Sequence, residues 1–405
     1  VVVTGMGCLS ALGNDRATFW RSLAEGRSGI ATMCRDVETE RLGAGDHRWV
    51  GAAVQGFDCG RHFDERRLAV LDPFAQFAVV AAREAVAQSG LDLRGSPGER
   101  TAVVFGTGVG GDQSRDDTCF QCYGEHRRLP PFTILRAMTN AATSHLCIDL
   151  GVTGPSYTLS DACASATHAI GLAFQLIRHG VVDAAVTGGS ETLPSTGLLK
   201  AWGTMRTMAP DTCRPFSRNR KGLVLGEGAG VLILETLSSA RRRGVPILAE
   251  VIGYGSSSDA RDLVVPSAYG IAAALRGALR DARLGPEEVG YVNAHGTGTR
   301  LNDVTETRAI KEVFGDAARR LSISSTKSMH GHALGAAGAL ELIATVEAVR
   351  HGVVPPTLHY DEPDPECDLD YTPNQARERD FPVALSSSFG FGGHNGVLAV
   401  RRAPL

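Results

Sequence analysis

The chain has 405 residues, 43% hydrophobic and 21% charged, with 41 Lys+Arg against 44 Asp+Glu and a formal net charge of −3. Near-neutrality argues against a polyanion-binding surface spread over the whole protein, so no nucleic-acid partner is expected, and the apolar content excludes disorder. The length suits two domains or one large duplicated unit.

At the amino end, Val1-Val2-Val3-Thr4-Gly5 reads as a strand, with no basic region leading into a long apolar segment. The longer apolar runs, such as Phe77 to Ala82, Ala102 to Phe105 and Val231 to Leu234, fall far below a membrane span. A cytoplasmic protein with no membrane partner is the expectation. Short Val/Ile-rich runs bordered by Gly or Asn then recur along the chain: Ala102 to Gly106, Ala184 to Gly189, Gly230 to Leu234, Ala249 to Gly253 and Val289 to Asn293. Between them, Pro73 to Gln88, Ala272 to Ala282 and Thr305 to Phe314 carry apolar residues at three- and four-residue spacing, which predicts helices. The alternation is that of an α/β protein.

A repeat lies inside the alternation. Ile-Arg-His-Gly-Val-Val at 177 to 182 returns as Val-Arg-His-Gly-Val-Val at 349 to 354, an offset of 354 − 182 = 172. Upstream of each, an apolar stripe predicts a helix: Ala166, Ile170, Ala173 and Ile177 in one copy, Ala339, Ile343, Val346 and Val349 in the other. Val3 to Gly7 matches Val251 to Gly255 in kind, and Gly106-Thr107-Gly108 matches Gly296-Thr297-Gly298, in the same order in each half. Two related halves, 1–240 and 241–405, are expected, meeting at the polar, basic stretch Ser238 to Gly244.

Nine cysteines, at 8, 34, 59, 119, 122, 147, 163, 213 and 367, are an odd, scattered set and read as free thiols. Cys119-x-x-Cys122 has no second pair or nearby histidines to complete a zinc site, so no metal is expected there. Cys163 differs from the rest. It follows the predicted strand Ser156 to Leu159 and opens the first repeated helix, where unpaired N–H groups and the helix dipole are expected to lower a thiol pKa. A buried structural cysteine is the alternative.

Three further segments carry chemistry. Asn293-Ala294-His295-Gly296-Thr297-Gly298-Thr299 puts an imidazole at the carboxyl end of a strand, the usual ligand side of an α/β sheet. Ser325-Thr326-Lys327-Ser328-Met329-His330-Gly331-His332 leads into the second repeated helix, and by the offset Cys163 corresponds to Gly335, three residues after His332. A pseudo-twofold between the halves would therefore bring Cys163 and His332 together at the junction. Ser387 to Asn395, with Phe389-Gly390-Phe391-Gly392-Gly393, permits close backbone approach to a substrate. A sulfur near two imidazoles is a constellation for acyl transfer, the sulfur holding the acyl group and N–H groups stabilising oxyanions. His47, His62, His126, His145, His168, His179, His351 and His359 read as surface or satisfied core residues.

Together the segments resemble the β-ketoacyl-acyl carrier protein synthases, the decarboxylating condensing enzymes of fatty acid and polyketide assembly. Asp161-Ala162-Cys163-Ala164-Ser165, Asn293 to Thr299, Ser325 to His332 and Phe389 to Gly393 occur in family order, with Gly188-Gly189-Ser190-Glu191, Arg214-Pro215-Phe216 and Gly226-Glu227-Gly228-Ala229. The resemblance implies a thiolase-like fold, duplicated βα halves in five α-β-α-β-α layers. It also implies a dimer, either a homodimer or a heterodimer with a chain-length-factor-like subunit, and acyl carrier protein as partner. On this resemblance Cys163 is the nucleophile, with the Cys163 and Phe391 N–H groups as oxyanion hole, and His295 and His332 assist decarboxylation. Lys327 and Glu341 support the histidines, Thr297 and Thr299 bind pantetheine, and Phe389 with Phe391 forms a gate; a solvated helix carboxylate is the other reading of Glu341. No metal or redox cofactor is implied. Arg66, Arg67 and Arg206 are candidates for docking the acidic carrier, or are ordinary surface charges.

The chain departs from the family in places. Ser217 and Lys221 stand where relatives commonly carry acids, Asp259-Ala260-Arg261-Asp262-Leu263-Val264 replaces Asp-Ala-Tyr-His-x-Thr, and His330, read as an added ligand or a loop residue, replaces the commonest Thr. These favour polyketide or polyene assembly over housekeeping fatty acid synthesis. The competing readings are a thiolase-type acyltransferase, which needs a second catalytic cysteine where only Cys367 is available, a chain-length partner, which lacks the nucleophile, and a domain cut from a modular synthase.

Overall fold

The computed structural model describes residues 1–33 and 49–403, so Cys34 and His47 lie outside the described residues. Ten strands share one hydrogen-bonded order: β1 (Val2–Ser10), β2 (Thr101–Gly106), β3 (Ser156–Leu159), β4 (Ala184–Glu191), β5 (Gly228–Glu235), β6 (Ala249–Ser258), β7 (Tyr291–Asn293), β8 (Ser322–Ser324), β9 (Val383–Gly390) and β10 (His394–Arg402). Across the sheet they run β8-β7-β9-β10-β6-β1-β5-β4-β2-β3. That order is a palindrome of two five-stranded units. In each unit the first strand in sequence lies at the shared middle, the last lies beside it, and the second and third are parallel neighbours toward the outer edge. Within the sheet the units join where β1 pairs with β6, at Val2–Glu250 and Val3–Ala249.

Seven helices matter for the site: α1 (Pro73–Ser89), α2 (Ser165–Arg178), α3 (Thr196–Thr204), α4 (Ala268–Ala282), α5 (Arg300–Phe314), α6 (Lys327–His330) and α7 (Ala337–His351). The helix α1 starts because Asp72 accepts the Phe74 N–H and Pro73 fills the first turn, and it stops at left-handed Gly90. It covers the outer face of the first unit, as α4 covers that of the second, while α2 and α7 touch each other and lie between the two units. This gives the α-β-α-β-α layering.

The stripes Ala166-Ile170-Ala173-Ile177 and Ala339-Ile343-Val346-Val349 are buried in one core cluster shared by the two halves. Each such Ile or Val contributes roughly 1.5–3 kcal/mol by leaving water. In α7 every residue from Ala337 to Val349 is buried, the pattern of a helix enclosed on all sides. The repeat holds in backbone detail. One 3-10 turn, Ala162–Ala164, precedes α2 and another, Leu334–Ala336, precedes α7; the first residue of each is left-handed, Ala162 at φ 49° and Leu334 at φ 45°. The sequence offset of 172 connects these positions as well. The stretch expected as a polar junction is the helix Leu237–Arg243, closed by left-handed Gly244.

Candidate active site

The nucleophile segment leaves β3, passes through Asp161, and turns sharply at Ala162 to put Cys163 in the turn that feeds α2. A left-handed alanine costs on the order of 1 kcal/mol or more, a strain that the contacts around the turn offset. The backbone N–H groups of Cys163 and Phe391 both reach that sulfur. Close approach of the loop after β9 is possible because residue 390 is glycine: a Cβ there would sit 2.9 Å from the Asp161 carbonyl oxygen and 3.2 Å from the Cys163 nitrogen.

His295 follows β7, and its own N–H and that of Gly296 donate to the Glu306 carboxylate of α5, each at 2.8 Å. His332 follows α6; its N–H donates to the Val224 carbonyl at 2.7 Å and its carbonyl accepts the Gly226 N–H at 2.9 Å, which fixes the backbone on both sides of the ring. The two rings lie edge to face with centroids 5.3 Å apart. Cys163 Sγ and one nitrogen from each imidazole all fall within 4.8 Å of one another. Sequence positions 163, 295 and 332 thus converge from both halves; the pseudo-twofold anticipated Cys163 with His332, and His295 joins them from the end of β7.

Below them, Lys327 of α6 and Glu341 of α7 form a fully buried ion pair. Glu341 is therefore no solvated helix carboxylate. Burial pushes its carboxyl up to about 7 despite the lysine, which pulls it down. Burial, then the Lys327 charge, holds both His295 and His332 well below the usual imidazole range, so both are neutral at pH 7. Nitrogens of both rings, His295 Nδ1 and both nitrogens of His332, are buried without a protein partner. Neutral imidazoles with unspent nitrogens, over a buried ammonium, favour an oxyanion held against them.

Two expectations are corrected here. The thiol of Cys163 is raised to about 11, because burial outweighs Lys327 and the two N–H groups that favour the thiolate. The helix-terminus reasoning omitted that desolvation. His330 is not a loop residue: it ends α6, is fully buried, and its Nε2 lies 3.0 Å from Thr326 Oγ1. Burial brings its pKa down to about 3.

Cys163, His295 and His332 line a cavity of about 320 Å³ together with Thr297, Thr299, Phe389 and Phe391. The two threonine hydroxyls lie 2.9 Å apart. The ring of Phe389 meets His295 edge-on at 5.8 Å, and that of Phe391 stacks on Trp202 of α3 at 5.8 Å. Arg206 borders the same cavity, whereas exposed Arg66 and half-buried Arg67 do not; Arg67 is paired with Asp149 at 3.2 Å, which also binds Arg83. Buried Ser217 donates to Asn219 and accepts the Asp361 and Glu362 N–H groups. Exposed Lys221 lies 3.6 Å from Asp211.

By donor type, Cys163 with the two histidines could hold a zinc-like ion. Metal-bound imidazoles usually donate their second N–H to an acceptor, and His332 has none; the Lys327 ammonium would also repel a dication. The residues therefore do not fit a metal. Cys119 ends one helical segment and Cys122 lies in the next turn; all eight described cysteines are free.

Sequence reading missed Glu306 and its neighbours Asn302 and Asp303, because it began the helix at Thr305. The signal was available: 302, 303 and 306 are polar positions on the buried face of α5, directly after the His-Gly-Thr-Gly-Thr run. It also missed Trp202 as the partner of Phe391.

The layered duplicated fold and a Cys-His-His centre at the junction of its halves define an acyl-transferring condensing enzyme of the thiolase-like type. The family models agree. Residues 1–240 match the N-terminal domain and 248–361 the C-terminal domain of beta-ketoacyl synthase, and the chain belongs to that family. It is 47% identical over 407 residues to nodulation protein E of Rhizobium sp. (strain N33), covering 99% of each chain. It is 40% identical over 410 residues to 3-oxoacyl-(acyl-carrier-protein) synthase 2 of Staphylococcus aureus (strain N315), covering 99% of this chain and 98% of that one. Among solved structures, the ishigamide ketosynthase/chain length factor superposes with a TM-score of 0.92 at 36% identity, over 100% of this chain and 99% of the other. A type II PKS acyl-carrier protein in complex with its ketosynthase gives 0.88 at 31% identity, over 99% of each chain.

Proposed function

We propose that the chain condenses an acyl group held on Cys163 with malonyl-acyl carrier protein, releasing CO2 and a β-ketoacyl-acyl carrier protein two carbons longer. The observation that carries this is the convergence of one thiol, two neutral imidazoles and a buried ammonium at the inner end of one cavity.

In the first half-reaction the Cys163 sulfur attacks the carrier thioester, its proton passing to the departing carrier thiol. The acyl oxygen takes negative charge against the Cys163 and Phe391 N–H groups, which already point at the sulfur. In the second, the malonyl carboxylate leaves as CO2 and its bonding electrons move to the thioester carbonyl. That enolate oxygen is held by N–H groups of His295 and His332. Neutral imidazoles suit this role because they bind the enolate without protonating it outright, and Lys327 adds a positive field. The enolate carbon attacks the acyl-Cys163 carbonyl, the C–S bond breaks, and the departing Cys163 thiolate takes from water the one proton that the overall reaction consumes. Thr297 and Thr299 hydrogen-bond the pantetheine, and Phe391 on Trp202 gates the acyl path. The reaction calls for no metal or redox cofactor.

The protein would act in the cytoplasm; among its described residues no helix is long and apolar enough to cross a membrane. Likeness to the ishigamide ketosynthase/chain length factor and to a type II PKS ketosynthase supports specialised polyketide assembly with a chain length factor as partner; polyene assembly rests on the substitutions at 217, 221 and 261–264. A thiolase reading lacks its second cysteine, since Cys367 is buried and does not line the cavity. The test is product analysis with acyl and malonyl carrier substrates: equal CO2 and β-ketoacyl carrier supports the assignment, whereas acyl exchange without CO2 would point to a non-elongating transferase.

A further inference from the structure

The segment Gly188-Gly189-Ser190-Glu191 ends β4, and the condensing steps above make no use of its acid. Glu191 is fully buried, and four donors close on its carboxylate. One oxygen accepts the Gly335 N–H at 3.0 Å together with the Gly108 N–H; the other accepts the Thr107 hydroxyl at 3.0 Å and the Val109 N–H at 3.3 Å. Thr107 Oγ1 itself accepts the Gly110 N–H at 3.1 Å, so its own hydrogen is free for Glu191. Burial pushes the carboxyl up to about 7, but these neighbours all donate and none of them needs an O–H in return, which suits the anion.

The place of this carboxylate follows from the duplication. Gly335 is the second-half counterpart of Cys163, at the same offset of 172. The fourth strands of the two units, β4 and β9, have eight residues each and end at Glu191 and Gly390. Gly390 faces the Cys163 turn, and the missing side chain leaves the Cys163 N–H to the substrate's oxygen: a Cβ there would lie 3.2 Å from that nitrogen. Glu191 faces the twin turn, and its carboxylate takes the N–H of Gly335. One hole is open to an acyl oxyanion, and its twin is filled by the protein's own anion.

The filled hole also joins the two catalytic segments. The Gly108 carbonyl accepts the hydroxyl of Ser160, three residues before Cys163, at 3.0 Å. Gly335 follows His332 by three residues. Without a shared acceptor, the Gly108 and Gly335 N–H groups would be buried side by side and unpaired, which drives the two segments apart. We propose that Glu191 is a positioning residue for the condensation: its carboxylate, an internal anion in the twin of the oxyanion hole, sets the distance between the Cys163 turn and the His332 segment. This role rests on the condensing reading above and adds what holds the two halves in register for it.

The experiment is chemical rescue. Glu191→Ala keeps the Cβ and removes the carboxylate, leaving space that formate fits. With acyl and malonyl carrier proteins, kcat should fall about tenfold or more while KM for each carrier stays within about twofold. Sodium formate should recover kcat severalfold, sodium chloride at the same concentration should not, and the circular dichroism should be the same in both. Wild-type kcat in the variant, a loss that formate leaves unchanged, or a recovery that tracks regained circular dichroism overturns the role. Glu191→Gln keeps the volume and one accepting oxygen, and it decides the matter if the alanine variant does not fold: a smaller loss of kcat at unchanged KM supports the role, and wild-type kcat overturns it. A wild-type enzyme that forms no β-ketoacyl product from these carriers overturns the condensing reading, and this role with it.

Discussion

Replacing Lys327 by Met removes the cation paired with the buried Glu341 carboxylate. Its consequence is a pH-dependent loss of stability whose sign can be worked out. The carboxyl titrates at about 7 in the folded protein, against 4.5 for the exposed group. Between those values the folded state holds a proton that the unfolded state has released, so stability falls as pH rises. In the wild type this loss ends near pH 7, where the carboxylate ionises against Lys327. Without the lysine the folded pKa rises further, the carboxyl stays protonated, and the loss continues at about 1.4 kcal/mol per pH unit. By pH 9 the variant should be about 2.7 kcal/mol worse off relative to wild type than at pH 7. For 405 residues the unfolding entropy is about 0.85 kcal/mol/K, which converts the difference to ~3 °C in Tm. Thermal melts of both proteins at pH 7 and 9 measure it. The double variant Lys327→Met/Glu341→Leu has no carboxyl to ionise and should show no such widening. A Tm gap for the single variant that is the same at both pH values would refute the reasoning.

Because burial raises the Cys163 thiol to about 11, its alkylation by iodoacetamide should keep accelerating through pH 9; a plateau with an apparent pKa below 7 would show that the N–H groups and Lys327 outweigh desolvation. Glu306→Gln replaces an acceptor of two N–H groups by one that presents an amide N–H to the second, so kcat should fall about tenfold or more with KM little changed; an unchanged kcat would mean that His295 is positioned without it. Gly335→Ala puts a Cβ 2.1 Å from the Gly108 backbone nitrogen, so the variant should unfold several kcal/mol more easily in denaturant titrations; wild-type stability would show that the second-half turn is looser than its twin at Cys163.

The duplication was legible because it is written twice. Two apolar stripes with the same basic-Gly ending revealed α2 and α7, and the offset between them anticipated the pairing of Cys163 with the His332 side of the second half. Strand positions were legible as short β-branched runs bordered by glycine; the ends were less so, and β6 runs on to Ser258 through its pairing with β10, over Gly255-Ser256-Ser257-Ser258, which carries no apolar signal. The state of the thiol was not legible. Helix position is a local property visible in sequence, whereas burial is the sum of contacts from α6, α7 and the loop after β9. His330 was misplaced for a related reason: Lys-Ser-Met-His has no helical periodicity, and a four-residue helix is made by its surroundings. Glu306 shows a third kind of miss, an acid within a predicted helix that was not singled out and whose carboxylate turns inward to two backbone N–H groups.

The most direct measurement is intact-protein mass spectrometry of the chain mixed with an acyl carrier protein thioester, followed by malonyl carrier protein, with Cys163→Ala alongside. A mass gain equal to the acyl group on the wild type alone, discharged by malonyl carrier as a product two carbons longer, is the predicted result. An acyl adduct that forms equally on Cys163→Ala, or one that malonyl carrier never discharges, would contradict the assignment of Cys163, His295 and His332 as a condensing centre.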